Sequence, residues 1–120
     1  MLEFKAKSEK VASALYWITS FFPDQEPLKW EIRALASELV SLAVSLRENF
    51  FKDRDLVLYE ARTNTLKIVG LCTIAKNANI VSLENFNLLN EELNKCLAVL
   101  DYPLNIFDLL NAQPVKDKMK

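Results

Sequence analysis

Histidine is absent from the 120 residues of this chain, and glycine occurs once. The first absence removes the commonest general base and the commonest transition-metal ligand. The second leaves no glycine-rich loop of the kind that cradles phosphates. Two separated cysteines without histidine do not form the usual structural zinc site. We therefore predict no catalytic, cofactor-binding or metal-binding residues. An enzyme that uses buried carboxylates is the weakest of three hypotheses.

Long apolar runs and turn residues are also scarce. No stretch approaches the ~20 apolar residues of a membrane-spanning helix, although 51% of the residues are hydrophobic. The N-terminal sequence MLEFKAKSEK contains no apolar signal core. Four prolines and one glycine leave little room for strands and tight turns. We expect a cytoplasmic, all-α protein without a membrane segment.

What the sequence does contain is a helical spacing of apolar residues, clearest in residues 66–100. Two helices are predicted there, folded back on each other through residues 79–82. Asn79 is the predicted left-handed end of the first helix, and Ser82 is the predicted N-cap of the second. Val81 is expected to contact Phe86 across that cap. The apolar stripe of the second helix is Phe86, Leu89, Leu93, Cys96 and Leu100.

The helix before this turn carries a broad apolar face and the glycine. Two adjacent stripes predict wide burial: Ile68, Cys72 and Ala75 in one, Leu71, Ile74 and Ala78 in the other. The poor helix formers at residues 63–65 predict a weak or bent place. Gly70 in mid-helix costs ~1 kcal/mol relative to alanine. We expect it to permit close approach of another helix, with a ligand contact as the alternative.

Two earlier helices are predicted from the same spacing. The first begins between Phe4 and Ser8 and ends at Phe22, because Pro23 cannot continue it. Its apolar line is Val11, Ala14, Leu15, Ile18 and Phe22. The second helix has a broad stripe that suits more than one neighbour: Leu28, Ile32, Leu35, Leu39, Leu42 and Leu46.

The connections between these helices carry cap signals. Asp24 or Glu26 is the predicted cap of the second helix, and Pro27 suits its first turn. This helix is expected to run to about Asn49, and Asp53 is the predicted cap of the third. The sequence thus predicts a single domain over residues 1–113, an antiparallel up-down four-helix bundle. A short C-terminal helix carries Leu104, Phe107 and Leu110, and a flexible tail covers residues 114–120.

The two cysteines are predicted to be free. In the helical hairpin, Cys72 and Cys96 lie at different distances from the turn, an axial offset of ~9 Å at the helical rise. This offset exceeds the Cα separation that a disulfide tolerates. We expect two buried thiols in a reducing compartment.

Charge is balanced overall, with 15 basic and 16 acidic residues. Basic residues are frequent over residues 52–76, whereas the fourth helix carries Glu84, Glu91 and Glu92. This distribution predicts either a basic and an acidic face or ordinary solvated helix faces. The segment IAKNANIVSLENFNLL also has the cadence of a helix-turn-helix, with amides that suit DNA bases: Asn85, Asn87 and Asn90. The carboxylates on the same helix argue against that role.

Three aromatic residues are candidates for a subunit contact. Tyr16 and Trp17 lie off the apolar line of the first helix, and Trp30 opens the second. Aromatic residues are enriched where one end of the side chain is buried and the other is wet. The alternative is that they form the rim of the core.

Two segments resemble a known family. FFPDQEPLKWEIRALA and LCTIAKNANIVSLENFNLLNEELNKCL are similar to the first junction and second hairpin of the four-helix bundle proteins. That family includes the ribosomal intervening-sequence proteins and the accessory variability determinant proteins of diversity-generating retroelements. The likeness covers residues 16–36 and 66–100. This chain departs from the family in a shorter junction, in the ending SLRENFF of its second helix, and in not being basic.

The resemblance implies a ring-forming bundle, commonly a pentamer, that binds a reverse transcriptase and its template RNA without chemistry of its own. The matching basic positions are Lys29 and Arg33. A second candidate surface consists of Lys52, Arg54, Arg62, Lys67 and Lys76.

Our leading hypothesis is a non-enzymatic, self-associating helical bundle that acts as an accessory or scaffold protein. A protein partner is favoured over an RNA partner, and no small-molecule substrate is expected. The alternative is a small helix-turn-helix-like DNA-binding regulator.

Overall fold

The computed structural model describes residues 2–48 and 54–101. These residues form four helices: α1 (Leu2–Thr19), α2 (Pro27–Glu48), α3 (Arg54–Asn77) and α4 (Leu83–Asp101). The two described ranges contain no strand, and the all-α fold class is confirmed. The predicted end of α2 at Asn49, the cap at Asp53, the short helix around residues 104–110 and the tail at 114–120 lie outside these ranges.

Each helix of the bundle packs against two others. α1 contacts α2 and α4, and α3 contacts the same two helices, whereas within the described ranges the Cα atoms of the diagonal pairs stay more than 8 Å apart. The core lies between all four helices. The antiparallel up-down direction of the helices stays a prediction.

The predicted stripes of α1, α2 and α4 supply most of the core. Val11, Leu15 and Ile18 are buried on α1, as is Phe22 beyond its end. Phe4 is also fully buried, although the apolar line predicted for α1 begins only at Val11. The other buried residues of these stripes are Ile32, Leu39, Leu46, Leu89, Leu93, Cys96 and Leu100. Burial of each large side chain contributes about 1.5–3 kcal/mol.

The ends of α1 differ from the prediction. The helix begins at Leu2 and ends at Thr19, three residues before Phe22. The amides of Phe21 and Phe22 donate to the carbonyl oxygens of Ile18 and Thr19, at 3.1 and 3.0 Å. These bonds reach back three residues instead of four and close a tighter turn. The chain therefore leaves the α-helix before Pro23 forces it to.

The hairpin between α3 and α4 matches the prediction. Asn79 has a positive φ of 63°. Its amide donates to the Lys76 carbonyl at 3.0 Å, and the amide of Ile80 donates to the Ala75 carbonyl at 2.8 Å. This pair of bonds is a Schellman motif, which satisfies carbonyls that the helix end leaves without partners. Ser82 Oγ accepts from the amide of Asn85 at 3.1 Å and caps α4.

The predicted broad face of α3 is wrong at two residues of its second stripe, whose third member, Leu71, is half-buried and packs against the core. Ile68, Cys72 and Ala75 are buried, but Ile74 is 53% exposed, and Ala78 is exposed too. The prediction for Gly70 is also wrong, because within residues 2–48 and 54–101 no atom of a neighbouring helix would lie within 4 Å of a Cβ at this position. α3 is continuous through residues 63–65.

The two thiols are free and buried, as predicted. Burial raises the pKa of Cys72 to about 12 and the pKa of Cys96 to about 11. Both thiols are therefore protonated at neutral pH. Within the described ranges, no helix combines the length and the apolar character needed to cross a bilayer.

Candidate functional site

Four large aromatic side chains are exposed where α1 turns into α2. They are Tyr16, Trp17, Phe21 and Trp30, and 43% to 66% of each is accessible to solvent. We call this set the aromatic corner. The rings of Trp17 and Phe21 meet edge to face, with centroids 5.2 Å apart and an interplanar angle of 88°. Such a pair favours one fixed arrangement.

Arg33 organises the corner from α2. Its guanidinium carbon lies 4.7 Å from the centre of the Tyr16 ring and 5.6 Å from that of Trp30. Its Nε donates to Thr19 Oγ1 at 2.8 Å, and Nη2 donates to the Tyr16 carbonyl oxygen at 3.0 Å. Thr19 Oγ1 is itself fixed, because it donates to the Leu15 carbonyl at 2.7 Å. The cation is therefore held against two rings by hydrogen bonds to α1.

Lys29 stabilises the turn itself. It is buried, and its ammonium donates to the Phe22 carbonyl at 3.3 Å and contacts Asp24 Oδ1 at 2.6 Å. The Trp30 Nε1 donates to the Asp24 carbonyl at 2.8 Å. The hydrogen bond from Lys29, followed by its charge, holds the pKa of Asp24 below its ordinary value. Lys29 thus has its charge enclosed by the turn.

The start of α2 uses the other acidic residue of the turn. Glu26 Oε2 accepts from the amide of Leu28 at 3.1 Å, so Glu26 caps the helix, with Pro27 as its first residue. The sequence left Asp24 and Glu26 as alternatives for this cap. Asp24 instead binds Lys29. Each acidic residue of the turn therefore has a separate partner on α2.

Lys29 and Arg33 also complete the end of α1. This helix carries no basic residue in its own last turn. Helix ends expose carbonyl oxygens and a partial negative charge, which cations stabilise. Both basic residues that the resemblance assigned to RNA instead contact carbonyl oxygens near this end, those of Phe22 and Tyr16. The two cations also reach the aromatic corner: the Lys29 ammonium lies 5.1 Å from the centre of the Trp30 ring, and the Arg33 guanidinium lies against Tyr16 and Trp30.

The second basic set is spread along α3. Arg54 and Arg62 are half-buried, Lys67 is exposed, and Lys76 is half-buried with its ammonium 4.7 Å from the centre of the Phe86 ring. Lys67 and Lys76 lie about 180° apart around an ideal helix. The structure therefore does not bring these four residues together into one patch. Lys52 lies outside the described ranges.

The predicted DNA-reading helix is α4. Asn87 is exposed, and Asn85 and Asn90 are half-buried. Glu84 and Glu91 are exposed beside them. Glu92 lies 3.3 Å from Lys95 and 3.6 Å from Lys10 of α1. The amides thus share their helix with carboxylates, and DNA binding stays a prediction.

Two features of the corner were not foreseen from the sequence. Phe21 is absent from the predicted contact residues, although its spacing of four from Trp17 places both on one side of α1 and its extension. The contact of Arg33 with Tyr16 has no sequence signal, because Tyr16 lies on another helix, whereas Trp30 stands three residues before Arg33 on α2. Comparisons with protein-family models, curated proteins and solved structures find no match to this chain.

Proposed function

We propose that this chain is a non-enzymatic helical bundle that associates with copies of itself through the aromatic corner, and that it serves as an accessory or scaffold protein. The observation that carries the proposal is the exposure of four aromatic side chains in one place. Trp, Tyr and Arg are the residues that dominate binding energy at protein interfaces. All three types are present in the corner.

Rigidity of the corner supports the same conclusion. The guanidinium of Arg33 and the indole of Trp30 are each fixed by hydrogen bonds to the backbone of the turn or of α1. Association costs about 0.5–1.5 kcal/mol for each flexible side chain that it immobilises. Side chains that are already fixed avoid most of this cost. The corner therefore suits binding better than a mobile set of aromatics would.

Sedimentation velocity over a range of chain concentrations tests self-association. We expect the wild-type chain to sediment as a multiple of its own mass, and the double variant Trp17→Ser, Phe21→Ser to sediment as a monomer. Leu88→Ser is the matched control, because Leu88 is as exposed as Trp17 but lies on α4. A monomeric wild-type chain, or equal dissociation of the control, would contradict the proposal.

The resemblance to four-helix bundle proteins extends this proposal to partners. On that basis the assembly is a pentameric ring in the cytoplasm that binds a reverse transcriptase and its template RNA in a diversity-generating retroelement. The stacked guanidinium of Arg33 supports an RNA contact, because bases stack on aromatic rings and on guanidinium planes.

Two measurements test this extension. The mass of the assembly gives the number of copies. RNA binding should weaken as salt rises, since phosphate contacts release counterions. At any one salt concentration, the triple variant Arg33→Gln, Arg62→Gln, Lys67→Gln should bind RNA more weakly than the wild-type chain does. An RNA shift that is equally strong in this variant would rule out the assigned surface.

A further inference from the structure

A groove runs between α2 and α3, and none of its lining residues belongs to the aromatic corner. It consists of two adjoining hollows of about 420 and 200 Å³, which share Leu35 and Lys67 as lining residues. Tyr59 lines one hollow and Ile74 the other. At 1.5 Å per residue, this part of α3 is about 22 Å long. We call this feature the α2–α3 groove.

Three residues of α3 line this groove and are unusual at their positions: a glycine in mid-helix, an exposed isoleucine and a buried asparagine. Gly70 is the only glycine of the chain, and a Cβ there would meet nothing within 4 Å. Ile74 is 53% exposed. Asn64 is only 5% exposed, and its Oδ1 accepts no hydrogen bond from the described part of the chain. Two of them cost stability: about 1 kcal/mol for the mid-helix glycine and about 1–3 kcal/mol for the buried polar atom without a partner.

The packing of the bundle explains none of these three residues. A glycine that permits helix contact would have a close neighbour, and a core isoleucine would be covered. Together they leave an open hollow with apolar lining around Gly70, beside a buried Asn64 whose Oδ1 has no partner in the described part of the chain. Ala34 lines the same hollow as Gly70, so two small residues keep it wide. These are the properties of a site that another molecule fills.

The shape of the groove fits an α-helix. An amphipathic helix that lies in an apolar groove is a recurring mode of protein recognition. Small residues allow a helix backbone to approach closely, as Gly70 and Ala34 would here. A length of about 22 Å corresponds to roughly four helical turns. Leu35, Leu71 and Ile74 supply apolar contacts in the larger hollow, and the Tyr59 ring supplies one in the smaller, more polar hollow.

The charged residues around the groove indicate the charge of the helix that would bind there. Glu31, Glu38 and Glu60 are exposed carboxylates among its lining residues, against the single ammonium of Lys67. This excess of negative charge favours a helix with basic residues beside its apolar stripe. Asn64 Oδ1 needs a hydrogen-bond donor. Asn64 lines the smaller hollow, and χ2 of an amide is a broad torsion, so a donor on the occupant would need only a rotation about χ2 to meet this oxygen.

We propose that the α2–α3 groove binds an amphipathic helix of a partner protein. This helix is about four turns long, carries basic residues on both sides of its apolar stripe, and places one amide or hydroxyl donor at its centre opposite Asn64. The proposal goes beyond self-association, because it uses different residues and a different kind of partner.

The first test titrates the full chain with a fluorescent model peptide of about 15 residues. The peptide has leucines at positions i, i+4 and i+7, flanking lysines and a central glutamine. Gly70→Leu fills the groove and should weaken binding at least about tenfold. Leucine also favours helix more than glycine does, so this variant folds. Ala98→Leu, which adds similar bulk to the exposed side of α4, is the matched control and should change affinity less than about twofold.

The second test identifies the contact with Asn64. Asn64→Leu should weaken binding of the glutamine peptide about fivefold or more and leave a peptide with central leucine unchanged, which is a double-mutant cycle. A peptide with glutamate for lysine, or with a central proline, should not bind. Equal binding of these peptides, or unchanged binding to Gly70→Leu, would overturn the proposal. If no peptide binds and Gly70→Leu instead dissociates copies of the chain, a second copy fills the groove and the proposal is wrong.

Discussion

Arg33 of α2 donates to the carbonyl oxygen of Tyr16 in α1 at 3.0 Å, while its guanidinium lies against the ring of the same tyrosine. One cation thus satisfies the end of one helix and fixes an exposed ring. The stability of the α1–α2 junction and the proposed binding role of the aromatic corner therefore depend on the same side chain.

Replacement of Arg33 should lower stability. Arg33→Ala removes two hydrogen bonds to α1 and the contact with two rings, and it leaves the Tyr16 carbonyl without this partner. We expect the free energy of unfolding in urea to fall by about 1–2 kcal/mol, given the partial exposure of the site. Lys95→Ala, an exposed cation on α4, should change it by less than about 0.5 kcal/mol. Equal losses in both variants would contradict this account.

The Asp24 and Lys29 pair should make stability depend on pH in acid. Lys29 lowers the pKa of Asp24 from its ordinary value of 3.8 in the folded chain. The folded state therefore binds this proton less tightly than the unfolded state. The pair stabilises the fold above pH 3.8 and loses this contribution as pH falls through the lowered pKa.

Thermal melting against pH checks this expectation. Asp24→Asn should melt lower than the wild type at neutral pH, and the difference should shrink below the ordinary aspartate pKa of 3.8. Glu91→Gln, an exposed carboxylate on α4, serves as the control. If the difference in melting temperature were the same at all pH values, the charge of Asp24 would make no contribution to stability.

The left-handed residue at the end of α3 should respond to substitution in two directions. Asn79 has φ 63°, a conformation that costs roughly 1–2 kcal/mol for residues with an ordinary side chain. Asn79→Gly should keep or raise the free energy of unfolding, and Asn79→Ala should lower it by about 1 kcal/mol. Urea denaturation of both variants separates them. If alanine equalled glycine, the backbone conformation would be different from the one described.

Replacement of Gly70 by alanine should raise the stability of the chain. Gly70→Ala should raise the free energy of unfolding by about 0.5–1 kcal/mol, because no atom lies within 4 Å of the new Cβ and the helix gains a better former. Urea denaturation measures this gain. A loss of stability would show that the α2–α3 groove is closed in solution.

The thiols should resist modification in the folded chain. Burial raises the pKa of Cys72 to about 12, and the thiolate is the reactive form. Iodoacetamide at neutral pH should therefore label Cys72 and Cys96 slowly until urea unfolds the chain, with both sites appearing at the unfolding midpoint. Rapid labelling of either cysteine without urea would place it at the surface.

Local signals explain which parts of the fold could be predicted. Asn79 and Ser82 form hydrogen bonds with backbone groups only three residues away, so their roles can be predicted from the local sequence. Lys29 and Arg33 act across the turn on another helix. The resemblance assigned both residues to a nucleic-acid surface, and a sequence does not show which carbonyl oxygens lie close to them in the fold.

The prediction that Ile74 is buried in the second stripe of α3 was wrong for a related reason. Helical spacing places Ile74 beside core residues, but burial also needs bulk on the opposite helix. Across the groove, α2 presents Glu31 and Ala34, which are charged and small. Oligomeric state, RNA binding and the partner protein depend on molecules other than this chain, so they stay predictions.

The arrangement of helix contacts has a consequence for how the bundle comes apart. Because α1 packs on both α2 and α4, and α3 does the same, the contacts close into a ring. No helix is held on one side only, so detachment of any helix uncovers two neighbours at once. Amides at the centres of all four helices should therefore exchange with solvent at one common, slowest rate, set by opening of the whole domain.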